Sequence, residues 1–285
     1  MKKIVLFIGI LLFSTGVMSV AATIDQGLLS PLTSAYEEIS RLFVGEYQGW
    51  GEQFVKLQST LFSRMFLAVI VGVPLVFLLH YLVIGPMVFS HEGEQIHYFN
   101  LLSRGVHLFA AVSFTLLAIT GLLVIFGSFF GGGALIRTCR TIHLAAAVVF
   151  SLSALAMLFI WAKDMILAPY DFLWILIAGG YLSKEQKPVP AGKFNFGQKS
   201  WFWLATLGGA TMAVTGYFLY SFQADTETLR LFVMIHNFLG AVMVAVFIVH
   251  LYMSLFAIKG AIRSMISGYK PEAEVRILHS RYLKE

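Results

Sequence analysis

Residues 235–250 read IHNFLGAVMVAVFIVH, an apolar stretch bounded by two histidines. The apolar run around it extends over 231–258, more than the roughly 20 residues that a helix needs to cross a bilayer. His236 and His250 are 14 residues apart. On a helix that spacing separates them by about 21 Å along the axis and by only about 40° around it. One face of a single membrane helix therefore offers two imidazoles, each near an opposite side of the membrane.

Four more runs outside this stretch reach spanning length, at 61–84, 108–130, 142–161 and 201–222. The 285 residues are 58% hydrophobic and 12% charged, about half the charged share of a soluble domain. All 15 Asp and Glu lie outside the five runs, unlike the carboxylate at membrane depth that proton- or cation-coupled transporters use. A single Cys excludes a disulfide framework and any all-Cys metal or cluster site within the chain. The net charge of +5 is spread between apolar runs and forms no groove for nucleic acid.

At the N-terminus, Lys2-Lys3, an apolar stretch from Ile4 to Val20 and then Ala21-Ala22 read as a signal peptide over 1–22, with an uncleaved first helix as the alternative, since the stretch is nearly long enough to span. Residues 23–60 read as an exported segment resting on the membrane or a partner. With the mature N-terminus outside, twelve Lys and Arg fall in inner segments and five in outer ones, as the positive-inside rule requires. The C-terminus is then cytoplasmic, in a multi-pass protein of a bacterial inner membrane.

Five of the eight histidines (His80, His107, His143, His236 and His250) lie in or at the edge of apolar runs. Chain direction assigns their depths. The 108–130 run goes outward, so His107 is on the inner side; the 142–161 run goes inward, so His143 is on the outer side. Depth pairs His107 with His250 and His143 with His236. Two stacked bis-histidine sites suit a diheme cytochrome b, in which iron ligated on both faces transfers electrons and has no open position. Zinc needs about four ligands, and neither leaflet offers four.

Arg104 and Arg140 each precede a histidine by three residues, on the same helix face. Each is a candidate partner for a haem propionate, against the plainer role of marking the membrane edge. Gly121, Gly216 and Gly240 stand where a flat macrocycle approaches backbone. His80 has no partner at its depth and reads as a hydrogen-bonded interfacial residue. His91, His97 and His279 lie in polar segments, and Cys139 reads as an unpaired thiol just outside the third helix.

With these residues placed, the chain resembles the cytochrome b (gamma) subunit of respiratory membrane-bound formate dehydrogenases, and more distantly that of nickel-iron hydrogenases. The likeness covers about Tyr98 to Tyr282. It is carried by Arg104-Gly-Val-His107, Arg140-Thr-Ile-His143, the loop Lys193-Phe-Asn195-Phe-Gly197-Gln198-Lys199, and His236 through His250-Leu-Tyr252-Met253. The resemblance implies an all-α integral membrane protein with a four-helix diheme bundle over 98–282, from which the 61–84 helix departs as an extra N-terminal span. It also implies two b haems and a non-catalytic role. The subunit would anchor a molybdenum or tungsten catalytic subunit and an iron-sulfur subunit outside, and pass their electrons to menaquinone or ubiquinone near the inner haem. Carried over by position, the quinone residues are His250, Asn195, Gly197 and Gln198. Read without the resemblance, Asn195 to Gln198 is a turn entering a helix. Two alternatives stay open: a cytochrome b serving a hydrogenase or another periplasmic oxidoreductase, and a haem-free transporter with histidines along its path.

Overall fold

The computed structural model describes residues 49–284. The signal-peptide expectation over 1–22 and most of the exported segment lie outside them. Five helices are long and apolar enough to cross a membrane: α1 (Gly51–Val83), α2 (Leu101–Ile125), α3 (Gly133–Trp161), and two later ones at Phe196–Ser221 and Thr226–Ala257. A short helix α4 (Pro169–Leu176) separates α3 from the fourth span. The last two spans are α5 and α6. The protein is an all-helical membrane bundle.

Every span begins ahead of its apolar run. The first helix starts at Gly51 rather than near 61, and its 33 residues reach about 50 Å against a hydrocarbon core of about 30 Å. Gln53, Lys56, Gln58 and Thr60 end the apolar run without ending the helix, because none of them breaks helical backbone; the register loosens only into a π-turn at Leu57–Leu61. In α2 the helix starts where Asn100 accepts a hydrogen bond from the Ser103 amide, an N-cap that fixes the terminus. These extensions place His107 and His143 two to three turns inside their helices. Cys139 likewise lies within α3, buried, rather than outside it.

The core runs through the middle of α2, α3, α5 and α6. Phe114 packs against Phe150 at 5.1 Å and Phe247 at 4.8 Å between ring centroids, and Trp201 joins them at 5.3 Å from Phe114. Gly209 admits Phe150, whose ring carbon would come within 2.9 Å of a Cβ there. Helix α1 lies mainly along α6. Phe62 meets Phe238 edge-on, Phe66 meets Gly240, and Phe77 stacks on Tyr252 at 4.4 Å.

At the end of the bundle that carries His107 and His250, three segments form a cap. Strand β1 (Gln95–His97) pairs antiparallel with β2 (Tyr269–Pro271), Ile96 opposite Lys270. Helix α7 (Arg263–Ser267) precedes β2 and α8 (Glu272–Leu278) follows it. The tail also bonds the 189–192 loop, from Val189 N–H to the Ile277 carbonyl and from Arg281 N–H to the Ala191 carbonyl. Gly268, at φ 91°, ends α7 in the left-handed region, and a Cβ there would lie 2.6 Å from the Phe99 carbonyl oxygen. Only glycine fits that position.

Candidate functional site: two facing histidine pairs

Helices α2, α3 and α6 bring the four membrane histidines together in the pairs that depth predicts. His107 of α2 faces His250 of α6 with ring centroids 6.2 Å apart. His143 of α3 faces His236 of α6 at 6.4 Å. A metal bonded to two opposed imidazole nitrogens at about 2 Å each, with about 1.1 Å more from nitrogen to ring centre, needs about 6.3 Å between centroids. Both pairs meet that spacing. Nowhere among the described residues do three His, Cys, Asp or Glu side chains converge, so the donor set is two nitrogens from opposite sides. That set suits a flat tetradentate macrocycle, which fills the other four positions itself. The aromatic cluster of Phe114, Phe150 and Phe247 occupies the level between the pairs.

The His143–His236 pair is oriented by two threonines that carry no signal in the sequence. Thr120 of α2 holds His143 Nδ1 at 2.9 Å, and Thr215 of α5 holds His236 Nδ1 at 2.9 Å. Gly121 and Gly216 leave room for these rings: a Cβ would lie 3.3 Å from His143 Cε1 and 3.4 Å from His236 Cε1. Gly240 instead admits Phe66 and Met212. At the His107–His250 pair, Trp201 of α5 stacks on His250 with centroids 5.7 Å apart and planes at 25°. A threonine or tryptophan within an apolar run carries no period of its own, so only helix rotation reveals these partners.

The two arginines differ. Arg104 turns its guanidinium onto the last carbonyls of α7, donating from Nε to Met265 at 3.1 Å, from one terminal nitrogen to Ser267 at 3.2 Å, and from the other to Ile266. It locks α7 to the start of α2, which the propionate expectation did not include. Arg140 is exposed and has no bonded partner among the described residues.

Asn195, Gly197 and Gln198 form the N-terminus of α5. The Asn195 side-chain oxygen accepts from Gln198 N–H at 2.9 Å, and the Gln198 oxygen accepts from Asn195 N–H at 3.0 Å, a reciprocal capping box. Both carboxamide oxygens are thus used, while neither NH₂ group bonds a protein atom among the described residues. Trp174 of α4 closes over Gly197, 3.3 Å from where a Cβ would be. Helix α4 is fixed by a buried pair, Lys199 Nζ to Asp171 Oδ2 at 2.8 Å, both side chains 2% exposed.

Outside the spans, His279 is buried rather than a plain surface residue. Its Nδ1–H donates to the Gly192 carbonyl at 2.9 Å, and burial first, then the nearby Lys270 charge, push its pKa down to about 3. His80 of α1 bonds Tyr252 Oη at 2.6 Å and the Tyr181 carbonyl at 2.7 Å. A carbonyl only accepts, so Nε2–H donates to Tyr181 and Nδ1 accepts from the Tyr252 hydroxyl.

The family model described as prokaryotic cytochrome b561 matches residues 98–268. The formate dehydrogenase cytochrome b556(fdo) subunit of Escherichia coli (strain K12) is 28% identical over 188 residues, which is 63% of this chain and 87% of that protein. The formate dehydrogenase cytochrome b556 subunit of Haemophilus influenzae is 30% identical over 105 residues, 35% of this chain and 44% of its own length. The nitrate-inducible formate dehydrogenase cytochrome b556(Fdn) subunit of Escherichia coli (strain K12) is 30% identical over 122 residues, 40% of this chain and 55% of that protein.

Proposed function

The chain belongs to the prokaryotic cytochrome b561 family, and on that footing we propose that it is the membrane cytochrome b subunit of a formate dehydrogenase, carrying electrons from external subunits to a quinone at the inner side. The observation that carries this reading is the pair of facing imidazoles at each end of α6, spaced 6.2 and 6.4 Å. His107 with His250, and His143 with His236, would each hold one haem b. Bound there, haem supplies one-electron transfer at an iron with no open position.

The partners are a catalytic molybdenum or tungsten subunit and an iron-sulfur subunit on the outer face. Relatives named as formate dehydrogenase subunits support this partner over a nickel-iron hydrogenase. The exposed Arg140, one turn before His143, is the residue suited to meet a propionate on that side. Arg104 contributes by holding α7 against α2. At the inner side, the free NH₂ groups of Asn195 and Gln198 are suited to donate to the carbonyl oxygens of menaquinone or ubiquinone. Gly197 keeps the approach open beside Trp174. Reduction of the quinone consumes two electrons and two protons, and the inner aqueous side supplies the protons.

The test is haem stoichiometry. Pyridine haemochrome analysis of the purified chain is expected to give about two protohaems, since each bis-histidine pair holds one. His143→Ala should retain one haem. His250→Ala should also retain one and lose quinone reduction. Two haems in both variants would overturn the assignment.

A further inference from the structure

Residues 118–121 read AITG and residues 213–216 read AVTG, and the two copies treat their histidines alike. Thr120 Oγ1 lies 2.9 Å from His143 Nδ1 and 2.6 Å from the Leu116 carbonyl oxygen. Thr215 Oγ1 lies 2.9 Å from His236 Nδ1 and 2.9 Å from the Thr211 carbonyl oxygen. A hydroxyl has one proton and a carbonyl only accepts. Each threonine therefore donates to the carbonyl one turn back and accepts the Nδ1–H of its histidine. This fixes the tautomer and leaves Nε2 as the ligand nitrogen. Both threonines are buried, 4% and 3% exposed, so water does not compete for the bond.

The inner pair has no such device. Among the described residues neither the His107 nor the His250 imidazole makes a hydrogen bond; the two rings face each other, and Trp201 stacks on His250. A ligand imidazole that donates its second N–H becomes more basic and stabilises the more positive metal state. A hydroxyl already donating to a carbonyl is a better acceptor than a lone hydroxyl. Second-ligand-sphere hydrogen bonding is one of the means by which a protein sets a haem potential.

We propose that Thr120 and Thr215 hold the His143–His236 site at a lower reduction potential than the His107–His250 site, making electron movement from the outer to the inner side energetically downhill. This rests on the haem-binding function proposed above. The threonines are positioning residues that act through the histidines, and their effect is separable from haem retention.

The experiment is a redox titration of haem absorbance in the full-length protein within its complex. Two waves are expected for the unaltered protein, with the lower one absent in His143→Ala. Thr120→Val with Thr215→Val should raise the lower midpoint by about tenfold in the reduction equilibrium, about 59 mV for one electron, and leave the upper one in place. Serine at both positions should keep the unaltered midpoints, because it retains the hydroxyl. An unmoved lower midpoint with both haems present would overturn the proposal, as would movement of the upper midpoint alone or loss of the upper wave in His143→Ala. If the paired valines shed the outer haem, Thr120→Val or Thr215→Val alone should still raise the lower midpoint, and a single variant that keeps both haems with that midpoint unmoved overturns the proposal. No wave at all in the unaltered protein would instead refute the cytochrome function itself.

Discussion

Asn195 uses its side-chain oxygen to start α5, and its NH₂ has no protein partner among the described residues, so capping and the proposed quinone contact come apart by substitution. Asp caps a helix about as well as Asn, whereas Ala costs about 1 kcal/mol. Asn195→Asp is therefore expected to leave thermal stability unchanged while raising the KM for quinone about tenfold, the worth of one lost hydrogen bond in a site. Steady-state quinone reduction alongside a melting curve checks this. Equal damage to both would mean that Asn195 is only a cap. At this scale the sequence exposes His107, His143, His236 and His250, because an imidazole is conspicuous in an apolar run and chain direction gives its depth. It does not expose Thr120, Thr215 or Trp201, whose roles depend on which way neighbouring helices turn. Nor does it show Arg104 bonding the last carbonyls of α7, where the sequence suggests a haem propionate or the membrane edge.

At the scale of elements, the cap beside the His107–His250 pair depends on His279, which ties the tail to Gly192. Its pKa in the fold is about 3 and about 6.5 when unfolded. Between these values the unfolded chain binds the proton and the folded chain does not. The stabilising contribution is full above pH 6.5 and is lost as pH falls toward 3, by up to about 1.4 kcal/mol per unit. Melting temperatures of the detergent-solubilised protein should fall from pH 7 to pH 4.5, and His279→Asn, which keeps a donor for Gly192, should flatten that slope. The five helices are legible because apolar runs of spanning length have few other readings. Their ends are not, since Gln53 and Lys56 leave the hydrocarbon without leaving the helix. The cap is not legible either: β1 and β2 are three residues each, too short for alternation to register, and they come from distant parts of the chain. The same holds for the grip of α1 on α6, where Phe62 meets Phe238, Phe66 meets Gly240, and Phe77 and His80 both meet Tyr252.

For the whole molecule, we propose that orientation follows from charge. With the mature N-terminus outside, the sequence places twelve Lys and Arg in inner segments against five in outer ones, an asymmetry of the kind that sets topology during insertion. A reporter fused after Leu283 should behave as cytoplasmic, and one inserted in the 126–132 turn as external; the reverse result would exchange the inner and outer roles of the two histidine pairs. Helix α6 carries one histidine of each pair, so the separation of the pairs across the membrane is built into a single rigid element. An electron passed from the level of His236 to that of His250 moves about 21 Å through a hydrocarbon layer of about 30 Å. One charge crossing the full layer is worth about 2.3 kcal/mol per 100 mV, so this displacement works against about 1.6 kcal/mol per 100 mV when the interior is negative. On the electron path proposed above, membrane voltage would push back on that current, and quinol formation should slow as the membrane charges.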